Sequence, residues 1–272
     1  MSENRLDATF ARLREEGTAA FVAYLAAGDP TLDATLDLVL ALEAAGVDVI
    51  ELGLPFSDPL ADGIVNQLAA QRALESGTTT AGVLALVRRI RERSQIPLVL
   101  FTYLNPVYTY GFEAFHAEAA AAGADGVLLL DLPPDEAVAN AELTGTHGLR
   151  QIRLIAPTTP PERMRQIGAG GEGFIYYVSR EGVTGEQSSL ATNIAENVAI
   201  IKSGSGVPVC VGFGISTPDQ AAAVARTADG VVVGSAIVKT IAAHGQDPDL
   251  PHRVADFVRP LVAATKAARA GT

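Results

Sequence analysis

Ala44-Ala45-Gly46-Val47-Asp48 and Ala121-Ala122-Gly123-Ala124-Asp125 are two copies of one kind of junction, in which an Ala-rich segment with helical periodicity meets a short apolar run. Glycine suits the position just past a helix C-terminus, because that position commonly takes a left-handed backbone conformation. The apolar runs that follow are typical of buried strands. Each junction therefore predicts the end of a helix and the start of a strand.

Outward from these junctions, short runs rich in β-branched residues alternate with longer segments of helical periodicity. The runs are almost continuously apolar, as is typical of parallel strands buried on both faces. We predict eight strands, at residues 21–27, 47–52, 98–103, 126–130, 150–155, 174–178, 207–212 and 230–233. We predict helices at residues 32–45, 80–93, 112–122, 135–146, 162–168, 194–202, 217–226 and 249–270, and another that begins at Ser235.

Two α/β architectures fit this alternation, an open doubly wound sheet and a closed barrel. Eight strands, a length of 272 residues and the lack of a Gly-x-Gly-x-x-Gly turn after the first strand favour the barrel. No linker or low-complexity segment divides the chain. We therefore predict a single domain over residues 1–272, a (β/α)8 TIM barrel with extra helices. Long connections at 53–66 and 179–190 are expected on its catalytic face.

Charge and composition disfavour several classes of protein. A formal net charge of −11, from 31 acidic and 20 basic residues, disfavours binding to nucleic acid or to anionic membranes. No run of about 18 uncharged apolar residues is present and the N-terminus is polar, so we expect a cytoplasmic protein. The single cysteine, Cys210, lies in an apolar run and is expected to be buried. Four scattered histidines lack the spacing of metal ligands, so we expect no metal site.

The second predicted strand carries an acid, Glu51, near its C-terminal end. Burial of a carboxyl group costs free energy unless the group is paired or functional, and the active sites of barrels lie at the C-terminal ends of the strands. Desolvation there raises a carboxyl pKa, which suits proton exchange near neutral pH. The alternative is a structural salt bridge to Arg150 or Arg153 of the fifth strand. We favour the catalytic role.

Two further carboxylates, Asp58 and Asp62, lie in the loop after this strand, where Pro55 and Pro59 restrain the backbone. Taken alone, each aspartate is more typical of a turn or of a helix cap than of a catalytic residue. One of them is expected to face the substrate, but the residues by themselves do not decide which.

Glycine-rich segments follow the last three strands, at residues 179–185, 212–216 and 234–236. Glycine lets backbone N–H groups approach a phosphate closely, and a helix that begins at Ser235 points its positive end at the same place. Barrels often bind phosphate after their seventh and eighth strands. The joint placement predicts a phosphorylated substrate. Tyr176, at the end of the sixth strand, is either an aromatic wall for a flat substrate or a packing residue.

These segments resemble the α subunit of tryptophan synthase over residues 21 to about 241. The most specific match is Glu51-Leu52-Gly53-Leu54-Pro55-Phe56-Ser57-Asp58-Pro59-Leu60-Ala61-Asp62-Gly63, and the segments at 179–185, 211–216 and 233–238 match later family motifs in order. The resemblance implies a cofactor-independent lyase of tryptophan biosynthesis that splits indole-3-glycerol phosphate into indole and glyceraldehyde 3-phosphate by a retro-aldol reaction. It also implies that Glu51 exchanges protons with ring carbon 3 and the C3′ hydroxyl. By the same resemblance Asp62, rather than Asp58, serves the indole N–H.

The resemblance further implies binding residues and a partner. Substrate contacts are expected from Tyr176, Thr184, Gly185, Phe213, Gly214, Gly234 and Ser235, and an indole pocket from Phe101, Leu128 and Leu154. Thr184 is expected to orient Asp62. The expected partner is a pyridoxal-phosphate-containing β subunit in an αββα heterotetramer, contacted through the segments that hold Asp58, Asn105 and Asp131.

One departure from the family pattern follows Asp62 directly. Ile64-Val65-Asn66-Gln67 stands where the family usually has proline and then a hydrophobic-Ile-Gln run. Loss of a proline adds about 0.4–1 kcal/mol of chain entropy that must be lost when the loop orders, so we expect a more mobile or differently gated loop. Two alternatives to an α subunit remain, a self-sufficient lyase that releases free indole and a binding module that activates a partner.

Overall fold

Eight parallel strands close into a barrel in the computed structural model, which describes residues 4–133, 136–179, 187–212 and 214–269. The strands are β1 (Ala20–Ala26), β2 (Val49–Gly53), β3 (Leu98–Thr102), β4 (Gly126–Leu129), β5 (Arg150–Ile155), β6 (Ile175–Val178), β7 (Val209–Gly212) and β8 (Gly230–Val233). Each strand pairs with the next, and β8 pairs with β1. The predicted barrel is confirmed, with every strand end within two residues of its prediction.

Helices cover the outside of the barrel. Those in the described residues are α1 (Arg5–Glu15), α2 (Leu32–Ala44), α3 (Ile64–Glu75), α4 (Thr80–Arg91), α5 (Leu104–Tyr110), α6 (Phe112–Ala122), α7 (Glu136–Thr146), α8 (Pro161–Ala169), α9 (Gln187–Gly204), α10 (Pro218–Ala225), α11 (Ser235–His244) and α12 (Leu250–Ala267). None of these helices has the length and hydropathy needed to span a bilayer.

Three helices and one boundary differ from the sequence prediction. Helices α1, α3 and α5 were not predicted, and α9 begins at Gln187 rather than at residue 194. The long connection after β2 therefore ends at Gly63, where α3 begins without a side-chain cap. The connection after β6 ends before Gln187, and its residues 180–186 lie outside the described part of the chain.

Strand side chains alternate between two apolar clusters. In β1, Phe21, Ala23 and Leu25 join the outer cluster that packs against the helices, whereas Val22 and Tyr24 join the inner cluster. The inner cluster is closed below by Leu6, Phe10 and Leu13 of α1. In β2, Val49 belongs to the inner cluster and Ile50 to the outer one, so the alternation turns Glu51 inward.

Three buried or half-buried aspartates hold the N-terminal end of the barrel together. Each directly precedes its strand and accepts a hydrogen bond from a backbone N–H of the neighbouring strand. The pairs are Asp48 with Phe21 at 2.7 Å, Asp125 with Leu98 at 2.8 Å and Asp229 with Val209 at 2.9 Å. Each aspartate also forms an ion pair, with Lys266, Arg91 and Lys202 respectively.

Candidate active site

A cleft of about 560 Å³ opens at the C-terminal ends of the strands. This volume lies within the range of about 300–1,000 Å³ that is usual for small-molecule sites. Eight of the residues that the sequence predicts to act on or bind substrate line it, namely Glu51, Asp62, Phe101, Leu154, Tyr176, Gly214, Gly234 and Ser235. Residues from strands β2, β3, β5 and β6 and from the segments after β7 and β8 therefore meet at one place.

Glu51 is a fully buried acid in the wall of this cleft. Neither of its carboxyl oxygens has a hydrogen-bond partner in the described part of the structure. Burial raises the pKa of Glu51 from 4.5 to about 8, so the group is largely protonated at neutral pH. The alternative of a structural salt bridge is wrong, because Arg150 pairs with Asp7 at 2.6 Å and Arg153 lines a different pocket beside α8.

Asp62 is held by hydrogen bonds from two sides. The Tyr103 hydroxyl donates to its Oδ2 at 2.9 Å, and the Asn66 amide nitrogen lies 3.4 Å from its Oδ1. Gln67 donates to its backbone carbonyl at 2.8 Å, which fixes the chain where the loop becomes α3. Burial raises the pKa of Asp62, whereas the bonds from Tyr103 and Asn66 act in the opposite direction by stabilising the charged form.

Two tyrosines share the cleft with these acids, and two glycines make room for them. A Cβ at Gly53 would lie 2.3 Å from the Tyr24 hydroxyl, and a Cβ at Gly212 would lie 2.7 Å from the Tyr176 hydroxyl. Any side chain at either glycine would therefore push a ring into the substrate space. Burial raises the pKa of both tyrosines, and the nearby acids raise it further, so both hydroxyls stay protonated as hydrogen-bond donors.

One end of the cleft is built for an anion. Helix α11 begins at Ser235 with Gly234 as its N-cap and no capping side chain, so its first N–H groups are open to a ligand. Gly214 adds a turn with φ +75°. Lys239 lines the same cleft and is the only lysine or arginine among its described lining residues. The sequence prediction missed Lys239, although its spacing of four residues from Ser235 places both on one face of α11.

The remaining predicted residues lie elsewhere. Leu128 is fully buried in the inner cluster and does not line the cleft. Asp58, Asn105 and Asp131 are exposed around its rim. Thr184, Gly185 and Phe213 fall outside the described residues. Tyr24 and Asn66 line the cleft but were not predicted to; the inward parity of Tyr24 in β1 is a signal that finds it.

Comparison with known proteins gives a consistent result. Residues 10–265 match the family model described as "Tryptophan synthase alpha chain". The chain is 50% identical to the tryptophan synthase alpha chain of Opitutus terrae, over 97% of this chain and 99% of that one. It is 47% identical to the same chain of Caulobacter vibrioides over the full length of both. A crystal structure of the alpha subunit from Legionella pneumophila superposes with a TM-score of 0.89 at 38% identity, over 97% of this chain and 99% of that one.

Proposed function

The chain belongs to the tryptophan synthase alpha chain family, and we propose that Glu51 and Asp62 are the acid–base pair with which it carries out the reaction of that family. The reaction is the cleavage of indole-3-glycerol phosphate to indole and glyceraldehyde 3-phosphate in tryptophan biosynthesis, so the protein is a carbon–carbon lyase. One observation carries the assignment of the pair. Within the described residues, a fully buried carboxyl group without a hydrogen-bond partner shares the cleft with a second carboxyl group that has two.

The first half of the proposed mechanism moves protons on the indole ring. Glu51, protonated because burial raises its pKa to about 8, gives its proton to ring carbon 3. Asp62, in its ionised form, accepts the proton of the ring N–H. The product is an indolenine, whose ring can accept the electron pair of the C3–C3′ bond when that bond breaks. Glu51 is then a carboxylate and Asp62 an acid.

The second half breaks the carbon–carbon bond. The Glu51 carboxylate takes the proton of the C3′ hydroxyl, and the electron pair of that O–H bond forms the carbonyl of glyceraldehyde 3-phosphate. The pair of the C3–C3′ bond returns to the ring, whose nitrogen recovers a proton from Asp62. Both acids end in their starting states, and no electrons are gained or lost. The two roles need one acid that is neutral and one that is ionised, which two different environments provide.

The rest of the cleft is proposed to hold the two ends of the substrate. The indole ring packs against Phe101 and Leu154, with Leu128 beneath them and Tyr176 beside the reacting carbons. The phosphate accepts hydrogen bonds from the backbone N–H groups of Gly214, Gly234 and Ser235. The positive charge of Lys239 attracts the negative charge of the phosphate. Thr184, Gly185 and Phe213 belong to the same proposal through the family resemblance.

The exposed surface around the cleft has the features of a binding site for a partner protein. Leu60 is 91% exposed, and Ile64 and Leu68 lie one turn apart on α3 with large exposed apolar side chains. Exposed apolar groups that lie together mark interaction surfaces. Asp58, Asn105 and Asp131 are exposed on the same end of the barrel. We assign this surface to a pyridoxal-phosphate-containing β subunit in an αββα complex, which would receive indole in the cytoplasm.

An indole-release assay tests the function and the partner together. The purified chain is mixed with indole-3-glycerol phosphate, with and without a tryptophan synthase β subunit. We expect indole in both cases and a higher rate with the β subunit. Failure to release indole under either condition would contradict the assigned chemistry. A rate that the β subunit leaves unchanged would overturn the partner and leave a self-sufficient lyase.

A further inference from the structure

Asn66 occupies a position in the cleft that the reaction described above does not use. It is the third residue of α3, and it lines the cleft together with Asp62. Its Nδ2 lies 3.4 Å from Asp62 Oδ1, which is long for a hydrogen bond. Its Oδ1 is buried and has no hydrogen-bond partner in the described residues. The described residues thus satisfy only half of the amide.

The arrangement of donors around Asp62 explains how the amide is turned. Tyr103 from the end of β3 serves Oδ2, and Asn66 from α3 serves Oδ1, so each carboxylate oxygen has one donor. An ionised carboxylate repels an amide oxygen, which requires Nδ2 of Asn66 to face it. The amide oxygen is therefore directed away from Asp62. An aliphatic side chain at this position would provide neither a donor nor an acceptor.

We infer that Asn66 is a positioning residue for Asp62, which keeps that carboxylate ionised and aimed at the ring N–H, and that its amide oxygen accepts a hydrogen bond from the bound substrate. The inference rests on the proposed function, because it takes Asp62 as the acceptor of the ring proton. Hydrogen bonds at active sites often shorten when the substrate binds, so we expect the 3.4 Å distance between Asn66 and Asp62 to shorten in the complex.

The pH dependence of kcat/KM tests the donor half. Asn66→Leu removes a donor to the ionised form of Asp62, so the pKa of Asp62 rises and the acid limb of the profile moves to higher pH, by about half to one unit. Asn66→Asp keeps the shape and favours the start of α3, but places a second negative charge beside Asp62. Its acid limb moves further in the same direction. Acid limbs identical to that of the unmodified chain in both variants would overturn the donor role.

Two controls separate positioning from folding. Gln71→Leu removes another amide of α3, one that bonds Glu75 at the surface, and must leave the acid limb in place. Tyr103→Phe removes the donor to the other oxygen and must move the limb in the same direction as Asn66→Leu. If Asn66→Leu does not fold, the nearly isosteric Asn66→Asp carries the test alone.

The acceptor half is tested by ligand binding. Dissociation constants are measured for Asn66→Leu and Asn66→Asp with an unreactive analogue of the substrate that lacks both side-chain hydroxyls, and the KM is measured for the substrate itself. Weakened binding of the substrate alone to Asn66→Leu, by about tenfold, assigns the amide oxygen to a side-chain hydroxyl of the substrate. Equal weakening of both ligands would place the loss at the contact between Asp62 and the ring N–H and would overturn the acceptor role. Unchanged binding of both overturns the acceptor role.

Failure of this inference can be told apart from failure of the proposed function. If the unmodified chain releases indole and Asp62→Asn does not, the function stands whatever the Asn66 variants do. If Asp62→Asn is fully active, both the role of Asp62 and the inference about Asn66 are wrong.

Discussion

The two ends of the barrel bury acids to opposite effect. At the N-terminal end, Asp125 is 3% exposed, accepts a hydrogen bond from a backbone N–H and pairs with Arg91 at 2.7 Å. At the C-terminal end, Glu51 is 0% exposed and has no partner in the described structure. Burial alone therefore does not distinguish a structural acid from the acid that we propose to be reactive. The difference lies in the partners that the fold supplies.

The same difference in partners affects the pKa of each acid. Burial raises the pKa of Asp125, but the Leu98 N–H and the charges of Arg91 and Arg5 act against that rise. For Glu51 burial causes the shift, and none of the described residues opposes it. The partnered acid is kept as a fixed anion that ties strands together. The unpartnered acid stores a proton at neutral pH.

Replacement of Glu51 tests the acid at the C-terminal end of the barrel and is expected to have the largest effect. Glu51→Gln keeps the shape but cannot transfer a proton, so kcat should fall by about 10²–10⁴-fold. Indole release under saturating substrate measures it. A rate within a few-fold of that of the unmodified chain would show that Glu51 is not the acid.

The same variant has an opposite effect on stability. The pKa of Glu51 is raised from 4.5 when unfolded to about 8 when folded, so its contribution to stability is fully present below pH 4.5 and is lost as pH rises through 8. Glu51→Gln lacks this titration. We expect the variant to gain stability relative to the unmodified chain between pH 5 and 8, and urea unfolding at both pH values checks it. An equal stability difference at the two pH values would contradict the raised pKa.

Replacement of Asp125 tests the structural acid at the N-terminal end of the barrel. Asp125→Asn leaves Arg91 and Arg5 without their anion, which should lower the free energy of unfolding by about 3 kcal/mol. The active site lies at the other end, so kcat per folded molecule should not change. Urea unfolding and active-site-normalised rates measure the two quantities. A selective loss of kcat would remove the distinction between the ends.

Removal of the charge of Lys239 is expected to have the smallest effect, and it tests whether this residue contacts the phosphate. Lys239→Gln should raise KM for the phosphorylated substrate about fivefold at low salt, with kcat unchanged, since an exposed charge pair contributes about 1 kcal/mol. The difference should shrink as salt screens the charges. Arg93→Gln, which removes the same charge from a distant exposed site, is the matched control. Equal KM values in the two variants would contradict a contact with phosphate.

Much of the fold follows from local sequence, and the exceptions have physical causes. The junctions at Gly46 and Gly123 could be predicted from the sequence, because such helix ends require a residue that tolerates positive φ. Both glycines take positive φ in the structure. Helix α1 carried a readable signal, with Asn4 as its cap and Leu6, Phe10 and Leu13 on one face. Helix α3 carried almost none, since it begins with β-branched residues and lacks a side-chain cap. A bidentate ion pair between Arg72 and Asp29 holds it in place, across a distance in sequence that local patterns do not show.

The site divides in the same way. Glu51 could be predicted because an acid inside an apolar strand is conspicuous in the sequence. The preference for Asp62 over Asp58 could not be reached from the residues alone; it came from the family resemblance and stays a prediction. The structure adds a contact that local patterns do not show, a hydrogen bond from the Tyr103 hydroxyl, just after β3, to Asp62, whereas Asp58 is exposed. The contact between Asn66 and Asp62 was equally hidden, because a loop, not a helix, was expected there.

The proposed mechanism depends on a protonated Glu51, and infrared difference spectroscopy measures this protonation state. Spectra of the unmodified chain minus Glu51→Gln are recorded across a pH series, and the carboxylic acid C=O band is followed. We expect a band that is present at pH 6 and disappears with a midpoint near pH 8. A band that has already disappeared by pH 6, with a midpoint near the ordinary value of 4.5, would contradict it.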